Sequence, residues 1–411
     1  MCYNTDAHIN STLNRFSNFG KRRKDRMPKN ELKPSNFFNP NTQLAELCLI
    51  ACPGAENLAA LIDKHLVCWA KEVGMEKDSF LIESDCPRFQ NGDAKGLVKS
   101  SVRGTDVFLI CDPGNHSLCY NLFGHENHMS PDDHFANMKR LIQAMAGRAH
   151  RISVIMPNLY GGRQHRRNMR ESLDCAVALQ ELEAMGVKNI ITFDAHDPRM
   201  MNAIPLTNFD NIMPTYQVLK TLLRKMPELI FDKDHFMVIS PDEGAINRNM
   251  YFSSVLSCNL GMFYKRRDYT RVVNGRNPIV AHEYLGESVD GKTVFIVDDI
   301  IASGESMLEV AGELKARGAK HIIANATFPL FTSGLDKFDE AVANGTLTAV
   351  LGTNLTYHLP ELNERAWFFE VDCSKYVAYI IAAINHEMSV SSIIDPIKKI
   401  EALLSEHGKK D

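Results

Sequence analysis

The chain has 411 residues, of which 45% are hydrophobic and 23% charged, and its formal net charge is −4 at pH 7. These values are typical of a folded protein with two domains. A slightly acidic chain offers no general affinity for nucleic acid, and the absence of any run of about 18 apolar residues argues against a membrane span.

Residues 1–42 differ in composition from the rest of the chain. They are rich in Asn, Ser and Pro and carry the basic run KRRKDR at 21–26, but they lack the apolar core of a signal peptide. We expect a flexible basic tail, with a transit peptide or a phosphate-binding arm as alternatives.

The cysteines indicate a reducing compartment. Ten of them are scattered among apolar runs, and none shows CxxC or Cys/His zinc spacing. Reduced thiols in a cytoplasmic protein are the expected state.

From Leu44 onward, strand-length apolar runs alternate with helix-length amphipathic stretches. The predicted strands are Leu47–Cys52, Asp106–Cys111, Ile152–Met156, Asn189–Phe193, Phe236–Ser240, Val294–Val297 and His321–Ala324. The predicted helices include Glu56–Val73, Glu171–Met185, Glu305–Arg317 and Tyr376–His386. This alternation predicts an α/β fold with mostly parallel sheets flanked by helices. Two similar domains, at 43–200 and 201–411, would fit the length.

The most informative stretch is VFIVDDIIASGES at 294–306. A buried strand ends in Asp298 and Asp299, and a turn of small residues, 302–304, precedes a helix. The turn's amides and the helix N-terminus form a binding site for phosphate. The carboxylates can accept hydrogen bonds from ribose hydroxyls, so the stretch predicts a sugar-phosphate site.

Three further polar clusters follow predicted strands, where ligands gather in parallel sheets. Residues 163–170 contain four Arg and one His, which suits a polyphosphate, although a solvated basic loop would look the same. Asp194-Ala195-His196-Asp197 and Pro241-Asp242-Glu243 are candidate metal or phosphate sites.

The fourth cluster, Lys265-Arg266-Arg267, opens a polar stretch that runs to Asp290. This stretch predicts a mobile loop that closes over a reacting polyphosphate and supplies charge to its transition state. An exposed charged hairpin is the alternative.

Taken together, these clusters resemble the ribose-phosphate pyrophosphokinase family, the synthetases of phosphoribosyl pyrophosphate (PRPP), from about residue 44 to 396. The family has the phosphoribosyltransferase-like fold in both domains. The matching segments are Phe89-Gln90-Asn91-Gly92-Asp93, Tyr160-x-x-Arg163-Gln164, Asp194-Ala195-His196, Ser240-Pro241-Asp242, Tyr264-Lys265-Arg266-Arg267 and the 294–306 stretch.

The resemblance implies transfer of the diphosphoryl group of Mg-ATP to the 1-hydroxyl of ribose 5-phosphate, with Mg²⁺ as the cofactor. It also implies a homo-oligomer of dimers that assemble into hexamers, with no nucleic-acid or membrane partner. The implied roles are ATP binding for Phe89, Asn91, Asp93, Arg163 and Gln164; ribose 5-phosphate binding for Asp298, Asp299, Ser303, Gly304 and Ser306; metal binding for His196 and Asp242; and catalysis for Lys265 and Arg267.

The sequence departs from the family pattern in four places. Ala302 stands where the family has Asp, and Glu305 stands where it usually has Gly. Residues 113–131 form an insertion, and the loop at 165–170 is shorter and lacks acidic residues. A catalytically weak regulatory paralogue and a phosphoribosyltransferase therefore remain as alternatives.

Overall fold

The computed structural model of the chain describes residues 42–145, 147–167, 169–267 and 279–408. The predicted basic tail lies outside the described residues except for Thr42. The predicted α/β fold is confirmed: the core consists of two sheets, of five and seven strands, each flanked by helices.

The first sheet has the strand order β1-β4-β7-β8-β9 and is parallel throughout. Its central strands are almost fully buried because helices cover both faces. The first nine strands are β1 (Leu47–Ala51), β2 (Ser84–Asp85), β3 (Leu97–Val98), β4 (Asp106–Ile110), β5 (Cys119–Leu122), β6 (His125–His128), β7 (Arg151–Ile155), β8 (Asn189–Phe193) and β9 (Asn208–Ile212). The helices of this half are α1 (Glu56–Glu72), α2 (Pro131–Met145) and α3 (Asp174–Ala184).

The second sheet has the order β12-β11-β10-β13-β14-β15-β16, and only its β11–β12 pair is antiparallel. Its strands are β10 (Phe236–Ser240), β11 (Asn259–Arg267), β12 (Ile279–Leu285), β13 (Thr293–Ile301), β14 (His321–Pro329), β15 (Ala349–Thr353) and β16 (Phe368–Val371). The helices are α4 (Thr215–Lys225), α5 (Ile246–Leu256), α6 (Glu305–Ala316), α7 (Asp336–Ala343), α8 (Ser374–Asn385), α9 (Ser391–Ile394) and α10 (Ile397–His407), and short 3₁₀ helices lie at Pro198–Ala203 and Pro360–Glu364.

The two halves are more interleaved than a division at residue 200 implies. Strand β9 follows that position but pairs with β8, so the first sheet extends to Ile212. Helix α8 packs back onto α1, where the rings of Trp69 and Tyr379 lie 4.5 Å apart. This packing buries the apolar surface of α8, which has too many buried residues for one sheet to cover.

Two segments outside the predicted strands carry strands in the structure. Lys265 and Arg267 belong to β11, which pairs with β12, so paired strands lie on both sides of residues 268–278, as in the hairpin alternative. The second strand opens with three consecutive apolar residues, 279–281. Residues 268–278 and the side chains of Lys265 and Arg267 lie outside the described part. The 113–131 insertion contains the antiparallel hairpin β5–β6.

Contacts between the two halves bring the ends of their strands together. Asp112, just after β4, accepts hydrogen bonds from Thr356 Oγ1 at 2.8 Å and from the Tyr357 amide at 2.7 Å. These bonds fix the carboxyl end of the first sheet against a loop of the second. Within the described residues, no helix is both long and apolar enough to cross a bilayer.

Candidate active site

The site begins at a strained turn after β8. Asp194 has φ = 41°, a value that non-glycine residues rarely adopt. The turn is held by hydrogen bonds from the Asp194 amide to Ile212 O and from the Ala195 amide to Asn211 Oδ1, both 2.9 Å. Such strain persists only where the surroundings over-determine it, and here the turn positions His196.

His196 reaches the second sheet. Its Nδ1 lies 2.7 Å from Oδ2 of Asp299, a residue 103 positions along the chain. An ionised carboxylate only accepts hydrogen bonds, so Nδ1–H is the donor in this pair, and the neutral form of the ring would have its lone pair on Nε2. The candidate metal segment at 194–197 and the predicted sugar-phosphate stretch at 294–306 therefore meet at this hydrogen bond.

A buried arginine organises the carboxylates around this point. Nε of Arg248, on α5, lies 2.8 and 2.9 Å from the two oxygens of Asp194. Its other nitrogens lie 3.7 Å from Asp298 and from Asp299. Thr327 Oγ1 donates to Asp194 at 2.6 Å. Three carboxylates thus surround one guanidinium.

The paired aspartates differ in protonation tendency. Burial and the adjacent Asp299 raise the pKa of Asp298 well above its usual range, and the charge of Asp242 adds to this. Burial also acts to raise the pKa of Asp299, but the hydrogen bond from His196 and the charge of Arg248 outweigh it and hold that pKa well below its usual range. The raised pKa favours the protonated, neutral form of Asp298, whereas Asp299 stays ionised.

Asp242 begins the segment that leads into α5. Its Oδ1 accepts hydrogen bonds from the amides of Gly244 at 2.9 Å and Ala245 at 3.2 Å. Asn249, buried in α5, donates to Val297 O at 2.8 Å and so fixes this segment against β13. This brings Asp242 near enough for its charge to act on Asp298.

The turn after β13 leads directly into the N-terminus of α6. Gly304 has φ = 81° at the N-terminus of α6, and a Cβ there would lie 2.3 Å from the Phe338 ring, so only glycine fits. Ser303 and Ser306 flank it on the accessible side. Glu305 pairs with Lys337 at 2.8 Å, which offsets a negative charge in the first turn of the helix.

A cleft of about 540 Å³ adjoins this cluster. Arg163 and Gln164 line it, and so do His196 and Asp299. Its other walls include Gly114, His116, Tyr160, Phe193, Leu330 and Thr332. The basic loop after β7 thus lines the same cleft as His196, the candidate metal ligand after β8.

The first segment predicted to bind ATP, residues 89–93, lies outside this cleft. Phe89, Asn91 and Asp93 form a tight loop in which the Phe89 amide donates to Asp93 O at 2.7 Å and Asn91 Nδ2 donates to Asp93 Oδ2 at 2.7 Å. Phe89 is 53% exposed. None of these three residues lines the cleft.

Sequence reasoning missed Arg248 and underrated His165. Arg248 gave no signal, because its pairing with Asp194 depends on the packing of two sheets. His165 was counted only as the one His of the basic 163–170 stretch, yet its ring lies 5.2 Å from that of His196 and its Nε2 lies 3.6 Å from Asp197.

Three family models match successive parts of the chain. The N-terminal domain of ribose phosphate pyrophosphokinase matches residues 47–186, the phosphoribosyl transferase domain matches 205–332, and the phosphoribosyl synthetase-associated domain matches 276–395. Together they span most of both sheets, and β8 with the turn that carries His196 lies in the gap between the first two matches.

Relatives named ribose-phosphate pyrophosphokinase match most of the chain. The Burkholderia pseudomallei protein is 30% identical over 272 residues, which are 63% of this chain and 76% of that protein. The Shewanella oneidensis protein is 28% identical over 312 residues, 74% of this chain and 89% of that one. A Staphylococcus aureus protein is 26% identical over 361 residues, 87% of this chain and all of that protein.

A solved structure shares the fold. Phosphoribosylpyrophosphate synthetase from Mycobacterium smegmatis superposes with a TM-score of 0.65 at 21% identity, covering 83% of this chain and 99% of that chain. The three domain matches and the 30% identity to the Burkholderia pseudomallei protein show that the chain belongs to the ribose-phosphate pyrophosphokinase family of enzymes.

Proposed function

We propose that the protein transfers the diphosphoryl group of Mg-ATP to the 1-hydroxyl of ribose 5-phosphate, giving PRPP and AMP. The observation that carries this proposal is the 2.7 Å bond between His196 and Asp299. It joins the cleft lined by Arg163 to the strand that leads into the phosphate turn. Group transfer needs such a junction, because the reacting atoms must approach to about 3–3.5 Å.

A divalent cation fits the residues at this junction. Three carboxylates share one guanidinium, and a bound cation would favour the ionised form of Asp298, whose pKa is raised by burial and by the adjacent Asp299. His196 donates Nδ1–H to Asp299, the arrangement usual for a metal-binding histidine, and Nε2 remains for the metal. We assign His196 and Asp242 to two Mg²⁺ positions. Bound Mg²⁺ would supply positive charge to the phosphate oxygens.

The phosphate turn and its strand suit ribose 5-phosphate. The amides at the start of α6 and the hydroxyls of Ser303 and Ser306 would hold the 5-phosphate, with Gly304 permitting close approach. Asp298 and Asp299 would accept hydrogen bonds from the ribose hydroxyls. The 1-hydroxyl of a ribose held in this way would face the cleft.

The remaining roles concern ATP and the moving group. Arg163 and Gln164 would bind the nucleotide from the cleft wall, and Lys265 and Arg267 would neutralise charge on the diphosphoryl group. Displacement at phosphorus depends on such positioning and charge more than on covalent chemistry.

The exposed loop at residues 89–93 favours an oligomer. Phe89, Asn91 and Asp93 do not line the cleft of their own chain, so we propose that they complete the nucleotide site of a second copy. The resemblance implies dimers that assemble into hexamers. A monomer with full activity at all protein concentrations would contradict this part of the proposal.

The regulatory-paralogue alternative rests on Ala302 and Glu305, which alter the phosphate turn. Incubation of the purified protein with Mg-ATP and ribose 5-phosphate distinguishes the three candidate functions. A synthetase releases AMP and forms PRPP; a regulatory paralogue binds nucleotide without turnover; a phosphoribosyltransferase consumes PRPP only when a nucleobase is added.

A further inference from the structure

The insertion at 113–131 carries a second cluster of metal-ligating side chains. Strands β5 and β6 are joined by a two-residue turn in which Phe123 has φ = 52° and Gly124 has φ = 79°. Two positive φ values in a two-residue loop are the pattern that best matches the twist of a hairpin. The register pairs Cys119 with His128 and Asn121 with Glu126.

This register places a thiol, an imidazole and a carboxylate on one face. Directly paired residues and residues two apart along a strand share a face, so Cys119, Glu126 and His128 lie together on the exposed side. Their ligand atoms all lie within 4.8 Å of one another. Cys119 Sγ lies 3.3 Å from His128 Nδ1.

We propose that Cys119, Glu126 and His128 bind a thiophilic divalent cation, Zn²⁺ in the first place, with water as the fourth ligand. Zn–S and Zn–N bonds of about 2.3 and 2.1 Å at a tetrahedral angle set sulfur and nitrogen about 3.6 Å apart. The observed 3.3 Å needs only a small side-chain adjustment. A sulfur and an imidazole ligand select zinc-like metals over Mg²⁺.

The other face of the hairpin packs on the loop that carries Phe89. The guanidinium of Arg88 lies 3.8 Å from the centre of the Tyr120 ring, and Leu122 packs so closely on Gly92 that a Cβ there would be 2.9 Å away. A cation on the outer face would therefore brace the hairpin that supports this loop. The site is separate from the His196 cluster and does not depend on the proposed reaction.

Cobalt(II) is the probe that tests the site, because a thiolate ligand gives it a charge-transfer band that oxygen and nitrogen ligands do not. The full-length protein, reduced and freed of metal by a chelator, is titrated with Co²⁺ and then with Zn²⁺. We expect one equivalent with a thiolate band and four-coordinate d–d bands, displaced by Zn²⁺.

Matched variants assign the ligands. Cys119→Ser is expected to abolish the thiolate band, and His128→Asn to weaken the affinity at least about 10–100-fold. Two variants serve as controls: Cys68→Ser changes an exposed thiol outside the hairpin, and His125→Asn changes a hairpin histidine outside the ligand set. Both are expected to bind Co²⁺ as tightly as the parent protein does. No thiolate band in the parent protein, or a band that survives Cys119→Ser, would overturn the proposal.

Discussion

Arg248 and Asp194 form the buried ion pair on which the junction of the two sheets depends. The Nε atom of Arg248 lies 2.8 and 2.9 Å from the two carboxylate oxygens of Asp194, and the Arg248 side chain is only 9% exposed. The pair connects α5 of the second half to the strained turn after β8. It therefore fixes the position of His196 relative to Asp299.

Replacing Arg248 with Met is expected to destabilise the protein by about 3–5 kcal/mol, because it leaves a buried carboxylate without its partner. Denaturant unfolding measures this change. Asp194→Asn in the Arg248→Met background removes the stranded charge and should recover part of the loss. A single variant as stable as the parent would contradict the assigned role of the pair.

His196→Ala should raise the Mg²⁺ concentration needed for half-maximal rate, since the variant lacks the imidazole that Asp299 orients. The measurement is a Mg²⁺ titration of initial rates at saturating ATP. His125→Asn, a surface histidine of the β5–β6 hairpin, is the control. An unchanged titration would count against His196 as a metal ligand.

Lys265→Ala should lower turnover about 10²–10³-fold, the usual cost of one preorganised charge-stabilising group, with little change in ATP affinity. Steady-state kinetics and equilibrium ATP binding test the two parts separately. Lys99→Ala removes a surface lysine that pairs with Glu83 and serves as the control. Turnover within a few-fold of the parent would exclude the role.

Ala302→Asp should lower the Michaelis constant for ribose 5-phosphate while turnover stays near the parent value. The half-buried Ala302 donates no side-chain hydrogen bond, but its carbonyl accepts the Thr332 amide at 2.9 Å, so the turn is held by backbone. One regained hydrogen bond is worth about 0.5–1.5 kcal/mol, or roughly 2–13-fold in affinity. A raised constant would mean that the turn departs from the family geometry.

Particular residues explain which features were predictable from sequence. Asn189–Phe193 and Phe236–Ser240 match the observed strands at both ends, because a strand buried on both faces reads as an unbroken apolar run. Strand β12 was not among the predicted strands because its apolar run, 279–281, is short and is followed by His282 and Glu283 within a charged stretch. The fold class and the family were thus accessible from local pattern alone.

The contacts that build the site were not accessible in this way. Arg248 and Asp194 are 54 residues apart in sequence, and nothing local predicts which carboxylate a helical arginine will meet. Cys119 and His128 likewise show no zinc spacing along the chain, and only the hairpin register brings them together. Such sites depend on tertiary pairing, which a periodicity argument does not contain.

The nucleotide product is the most direct test of the central claim. Purified protein is incubated with Mg-ATP labelled in both the β- and γ-phosphates and with ribose 5-phosphate, and the products are separated. The account predicts AMP and doubly labelled PRPP in equal amounts. Formation of ADP would contradict this account. So would a result in which ATP binds but keeps both labels and no PRPP forms.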